Sequence, residues 1–184
     1  MLKNELRSFI LNELKNLSRD FKNHNTKIIH SKLFATEIWC NSKNISITLS
    51  TELEIDTYAI IRKAWDQGKS VSVPAIDVPT KSMTFYRINS FDNLKITKFG
   101  IKEPADNNEV SSIENFDLVI VPGVYFNKRK YRIGYGGGYY DRFLPKVKAA
   151  KISLAYDFQV AETFIEDSYD YPVDLIITEV NEYC

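Results

Sequence analysis

The chain has 184 residues, 44% of them hydrophobic and 26% charged, an ordinary globular balance. Its 24 lysines and arginines meet 24 aspartates and glutamates, and zero net charge gives no reason to expect nucleic acid as a partner. No uncharged apolar run approaches the roughly 20 residues a membrane span needs, and the charged start M-L-K-N-E-L-R lacks a signal core.

A cytoplasmic protein without membrane contact is therefore expected, as one domain over residues 1–184 and as a monomer. The two cysteines, Cys40 and Cys184, form no CxxC or Cys/His cluster, which argues against zinc and against a disulfide. Cys40, after Trp39 at the end of an apolar stripe, reads as a small core residue.

Leu6, Ile10, Leu14, Leu17 and Phe21 recur at helical spacing and predict a first amphipathic helix. Lys3 and Arg7, one turn apart, share a face of it. Ile29, Leu33, Phe34 and Ile38 predict a second helix over 26–39. N-I-S-I-T-L-S (44–50) alternates as a strand does. Asp56 can cap a third helix that closes before Gly68. V-S-V-P (71–74) and M-T-F-Y-R-I (83–88) read as strands, and 94–99 as another. D-L-V-I-V (117–121) is almost wholly apolar, which suits a strand covered on both faces; Pro122-Gly123 ends it. Residues 139–144 read as the first turns of a helix, interrupted at Pro145, and 152–156 and 175–178 complete the strands. Strands alternating with helices predict an α/β fold: a single three-layer domain with a central, largely parallel sheet flanked by helices. In such folds ligands gather where strands end and loops begin.

The segment R-I-G-Y-G-G-G-Y-Y-D (132–141) lies in such a place and holds four of the seven glycines. Adjacent glycines let successive backbone N–H groups turn inward as an anion nest, and the missing side chains let a phosphate chain come close. Arg132 can fork onto phosphate oxygens, and the helix that follows can add its N-terminal N–H groups. A plain turn is the simpler reading, but four glycines in five positions between an arginine and an aspartate favour a phosphate cradle. It matches no common nucleotide fingerprint. Gly68-Lys69-Ser70 has the tail of a Walker loop, yet Lys63 stands where the first glycine belongs, and the order is helix then strand; a helix-ending glycine fits better. Tyr139 replaces the last glycine of G-x-G-x-x-G. His24 and His30 lie in no catalytic pattern. K-R-K-Y-R (128–132), basic with an aromatic, leaves an RNA-binding module as one alternative, and a phosphate-binding regulator or sugar-phosphate isomerase of similar fold as another.

The stretch V-P-G-V-Y-F-N-K-R-K-Y-R-I-G-Y-G-G-G-Y-Y-D-R-F-L (121–144) resembles the 5-formyltetrahydrofolate cyclo-ligases, also called methenyltetrahydrofolate synthetases. K-N-E-L-R (3–7), E-I-D-T (54–57), V-S-V-P, Met83-x-Phe85, Glu103-Pro104, Gln159, Asp174 and I-T-E (177–179) stand in the family's order. Two positions depart: Asn127 stands where the family usually has aspartate, and Lys130 where it usually has glycine, so a different path is expected for the loop 127–131.

The resemblance implies an ATP-dependent ring closure of 5-formyltetrahydrofolate to 5,10-methenyltetrahydrofolate, with Mg²⁺ as cofactor. The γ-phosphoryl goes to the formyl oxygen, N10 attacks the activated carbon, and phosphate leaves; the protein's work is alignment and charge stabilisation. It further implies that Lys3 and Arg7 meet the nucleotide. So does the loop Arg132, Ile133, Gly134, Tyr135, Gly136, Gly137, Gly138, Tyr139 and Tyr140, with Arg132 and Tyr140 in catalytic positions. Tyr135 to Tyr139 also meet the folate, together with Leu49 and with Glu54, whose carboxylate can accept pterin N–H groups. Asp141 and Asp174 are implied as Mg²⁺ ligands, in keeping with that ion's preference for few carboxylates plus phosphate and water. Without the resemblance, Lys3 and Arg7 read as a solvated helix face, Leu49 as strand core, Glu54 as a charge ahead of a helix cap, Asp141 as a first-turn helix acid and Asp174 as a turn residue.

Overall fold

Alternation along the apolar strands builds the molecule. In the computed structural model, which describes residues 2–92, 94–96, 102–105 and 108–184, β1 (Asn44–Ser46), β2 (Ser70–Asp77), β6 (Leu118–Ile120), β9 (Ala150–Leu154) and β11 (Leu175–Ile177) pair in parallel. Two antiparallel edge strands, β3 (Ser82–Ile88) and β12 (Glu182–Tyr183), complete a seven-stranded sheet of order β12-β11-β9-β6-β1-β2-β3. Successive residues point to opposite faces. Leu118, Ile120, Ile152 and Ile177 enter one buried cluster, and Val119, Val121 and Ile176 enter the other. Each such side chain, nearly free of solvent, is worth about 1.5–3 kcal/mol of burial. The expected central, largely parallel sheet is what forms.

Its first face is covered by α1 (Lys3–Asn16), α2 (Arg19–Ala35), α3 (Glu37–Asn41) and α4 (Thr57–Asp66), which contribute Ile10, Leu14, Ile29, Leu33, Trp39, Ile60 and Ile61. The second carries α5 (Tyr139–Phe143) and a small sheet of β7 (Tyr125–Asn127), β8 (Arg132–Ile133) and β10 (Val160–Ala161). A short hairpin, β4 (Leu94–Ile96) with β5 (Lys102–Pro104), lies beside β2.

Several expectations are corrected. The first helix stops at Asn16, and α2 restarts at Arg19 because the Ser18 hydroxyl accepts the Phe21 N–H at 3.1 Å. The second stops at Ala35, where the Thr36 hydroxyl caps α3 through Trp39 N–H. Cys40 is exposed, not core. The ladder of β1 ends at Ser46, four residues before the alternation does, although Ile47 and Leu49 stay buried. Residues 97–99 of the expected strand 94–99 lie outside the described residues. Gly68 ends α4, and Lys69 Nζ caps α3 by donating to the carbonyls of Trp39 and Ser42, so the Walker-like tail is structural.

Candidate active site

The sheet leaves a cavity of about 340 Å³ at the C-terminal ends of β1 and β6, within the range of small-molecule sites. Thr48 and Leu49, just past β1, form its floor with Pro122, just past β6. Pro74, Ile76 and Met83 of the β2–β3 hairpin make an apolar wall. This accounts for the early end of β1: the chain leaves the ladder to line the cavity.

The opposite wall is the segment 132–141. Gly136 (φ 102°) and Gly138 (φ 64°) take left-handed backbone that a side chain resists. A Cβ on Gly137 would lie 2.5 Å from the Tyr139 ring. None of the backbone N–H groups from Gly134 to Gly138 donates a hydrogen bond to a described residue. α5, with only five residues, adds little dipole to this nest.

Two cations of α1 reach the cavity. Arg7 Nε donates to Gly134 O at 2.6 Å, and its guanidinium lies 3.7–3.8 Å from where a Gly136 Cβ would stand. Lys3 Nζ is held by Asp167 Oδ2 at 2.5 Å and by Asp170 Oδ2. Burial works against the ammonium charge, but both aspartates outweigh it and raise the Lys3 pKa; the same contact, with Tyr169, lowers that of Asp167. Asp167 and Asp170 also line the cavity, and sequence reasoning missed them. Their partner is more than 160 residues away, and D-S-Y-D carries no local signature.

Arg132 is 5% exposed. Its Nη1 donates to Tyr171 O at 2.7 Å and its Nη2 to Asp141 Oδ1 at 3.0 Å. Burial lowers its pKa and Asp141 opposes the shift. The guanidinium thus fixes an acid at the cavity wall, where the sequence suggested a free fork for phosphate. Asp141 Oδ1 also receives Tyr171 N–H at 3.4 Å, while Oδ2 bonds no described residue. The Tyr140 hydroxyl is buried without a partner among the described residues; burial raises its pKa, Arg132 beside it pulling the other way. Glu54 Oε2 accepts Thr51 N–H at 2.7 Å. Burial, then the charge of the neighbouring Glu54, raises the pKa of Tyr135.

Lys3, Arg7, Leu49, Glu54 and the whole run Arg132 to Asp141 therefore meet in one cavity. Asp174 does not join them. It precedes β11 at the opposite end of the parallel strands, where its Oδ2 accepts Lys151 N–H at 2.8 Å, so its turn-residue reading is the one the geometry supports. The aspartates that line the cavity with Asp141 are Asp167 and Asp170. Of the basic run 128–132, Lys128 pairs with Glu162, Arg129 with Glu166, and Arg132 is buried.

The two departures fall together on the turn from β7 to β8. Lys130 takes φ 69°, a conformation in which glycine is unstrained, so the turn keeps a glycine-like path. Asn127, 0% exposed, donates through Nδ2 to Glu166 Oε1 at 2.7 Å.

Comparison with known proteins converges on one family. The sequence profile of the 5-formyltetrahydrofolate cyclo-ligase family matches residues 1–179. A probable 5-formyltetrahydrofolate cyclo-ligase of Caenorhabditis elegans is 32% identical, with 97% of this chain and 93% of the relative covered. The solved 5,10-methenyltetrahydrofolate synthetase of Aquifex aeolicus superposes with a TM-score of 0.87 at 34% identity, over 99% of this chain and 92% of that one. The synthetase of Mycoplasma pneumoniae gives 0.80 at 27% identity, over 97% and 99%.

Proposed function

This chain belongs to the 5-formyltetrahydrofolate cyclo-ligase family, and from that premise we propose that it closes 5-formyltetrahydrofolate to 5,10-methenyltetrahydrofolate with consumption of ATP. One observation carries the site reading: the N–H groups of Gly134 to Gly138 bond no described residue, in a cavity that also holds Arg7 and Asp141. Uncommitted amides on a cavity wall are an anion nest, and the triphosphate is the anion the reaction needs.

The nucleotide lies along 134–138, with Arg7 at one end and Asp141 at the other. The folate takes the side of Glu54 and Leu49, its pterin N–H groups on the Glu54 carboxylate. The formyl oxygen then faces the γ-phosphate near Tyr140, whose buried hydroxyl has a hydrogen bond to give. Arg132 acts by orienting Asp141. The residues fit Mg²⁺ through one carboxylate: Asp141 Oδ2 bonds no described residue, while Asp167 and Asp170, which line the same cavity, are held by Lys3. Mg²⁺ on Asp141 would neutralise phosphate oxygens. Alignment in a dry, preorganised site supplies the catalysis.

Purified protein given MgATP and 5-formyltetrahydrofolate should develop methenyltetrahydrofolate absorbance, none without ATP and none from Asp141→Ala. Failure of the wild type to form product across pH and metal would remove the assignment.

A further inference from the structure

Arg142 falls within the stretch 121–144 that carries the family resemblance, but the resemblance implies no role for it, and it is not among the residues that line the cavity. Its Nη2 donates to Gly137 O at 2.8 Å and its Nε to Lys81 O at 3.2 Å, in the turn between β2 and β3. Its guanidinium lies 5.4 Å from the Tyr139 ring centroid. One side chain thus spans the glycine segment and the hairpin that carries the apolar wall.

The peptide plane gives this contact a consequence. In a trans peptide the C=O of one residue and the N–H of the next point in opposite directions, and no peptide here is cis. Drawing Gly137 C=O out toward Arg142 turns Gly138 N–H the other way, toward the cavity that Gly138 lines. That N–H bonds no described residue. Left to itself, a Gly137–Gly138 peptide flips easily, because neither residue has a side chain to restrain it. A flip would put a carbonyl oxygen where a phosphate oxygen should sit.

We propose that Arg142 is a positioning residue for nucleotide binding: it locks the Gly137–Gly138 peptide with its N–H facing the phosphates and ties that peptide to the β2–β3 hairpin. The inference rests on the reading of 134–138 as the nucleotide cradle. Arg142 touches neither substrate nor metal in this scheme.

The test is MgATP binding by calorimetry with wild type, Arg142→Ala and Arg142→Lys, alongside kcat and both KM values. Arg142→Ala should raise the Kd and KM for ATP about tenfold, the order expected when one oriented donor is lost. The KM for 5-formyltetrahydrofolate should change less than twofold. Arg142→Lys, able to hold one carbonyl at a time, should fall between. Arg142→Ala with unchanged Tm and unchanged ATP affinity, or with equal weakening toward both substrates, overturns the role of Arg142 while leaving the cradle standing. Wild type that binds no ATP overturns both.

Discussion

Asn127→Asp alters little but charge at a fully buried position. Asn127 Oδ1 accepts Tyr131 N–H at 3.0 Å, which an aspartate would keep. The bond from Nδ2 to Glu166 Oε1 at 2.7 Å would become a contact between two carboxylates. Glu166 is 14% exposed, and its only ion partner among the described residues, Arg129 at 3.0 Å, is 65% exposed and so well screened. Two unit charges relaxed to about 4 Å repel by about 4 kcal/mol at an effective dielectric of 20. The alternative is to share one proton. At pH 7 that costs about 1.4 kcal/mol for each of roughly three pH units above an ordinary carboxyl, again about 4 kcal/mol, part of which the new O–H···O bond returns. The expected loss of stability at pH 7 is about 2–4 kcal/mol. The folded variant keeps a proton that its unfolded chain releases, so its carboxyl pKa is raised on folding. The loss therefore shrinks as pH falls, by up to about 1.4 kcal/mol per unit, and is nearly gone near pH 4. Urea unfolding of both proteins at several pH values between 5 and 7 reads this as a midpoint shift at constant slope. The double variant Asn127→Asp, Glu166→Gln should recover most of it, because the introduced amide donates back to the introduced carboxylate. A pH-independent loss, or a single variant as stable as wild type at pH 7, refutes the reasoning.

Lys130→Gly removes a left-handed side chain that costs about 1–2 kcal/mol and returns about 0.5–1 of it to the looser unfolded chain; calorimetry should show a Tm higher by about 1–2 °C with activity intact, and a lower Tm would contradict it. His30 is 8% exposed, its Nε2 without a partner among the described residues, and burial lowers its pKa below 6.5 against the opposing Asp56. Its contribution is therefore complete above that value and declines as pH falls toward the lower folded pKa, so His30→Leu should flatten the stability–pH slope below about pH 6.5; parallel slopes would remove His30 as its source.

The parallel sheet was legible because its central strands are buried on both faces and read as apolar runs. What the sequence hid is short or distant. The stripe from Leu6 to Phe21 passes through the break at Leu17 and Ser18 without losing its spacing, so only the Ser18 cap marks a new helix. β7, β8 and β10 have two or three residues each, too few for alternation to show. They nevertheless set the site, because β8 delivers Arg132 and Ile133 to the start of the glycine segment. Conversely, the run of four glycines was readable because its demands are local: two left-handed residues and one place with no room for a Cβ.

Charge placement was the least legible part, and it changes how the cavity works. From sequence, Lys3 and Arg132 are two cations free for phosphate. In the structure each already has acidic partners, Asp167 and Asp170 for one and Asp141 for the other. A buried cation stripped of its partner leaves an uncompensated charge, which costs several kcal/mol, so Arg132 does not trade Asp141 for a ligand. Lys3, at 23% exposure, can exchange its aspartates for a phosphate oxygen at far lower cost. On the proposed function, an incoming triphosphate would meet the amides of 134–138 and Arg7 first and Lys3 by exchange. Arg132 meanwhile fixes Asp141 through one oxygen; the second, which bonds no described residue, would take a cation carried in with the nucleotide.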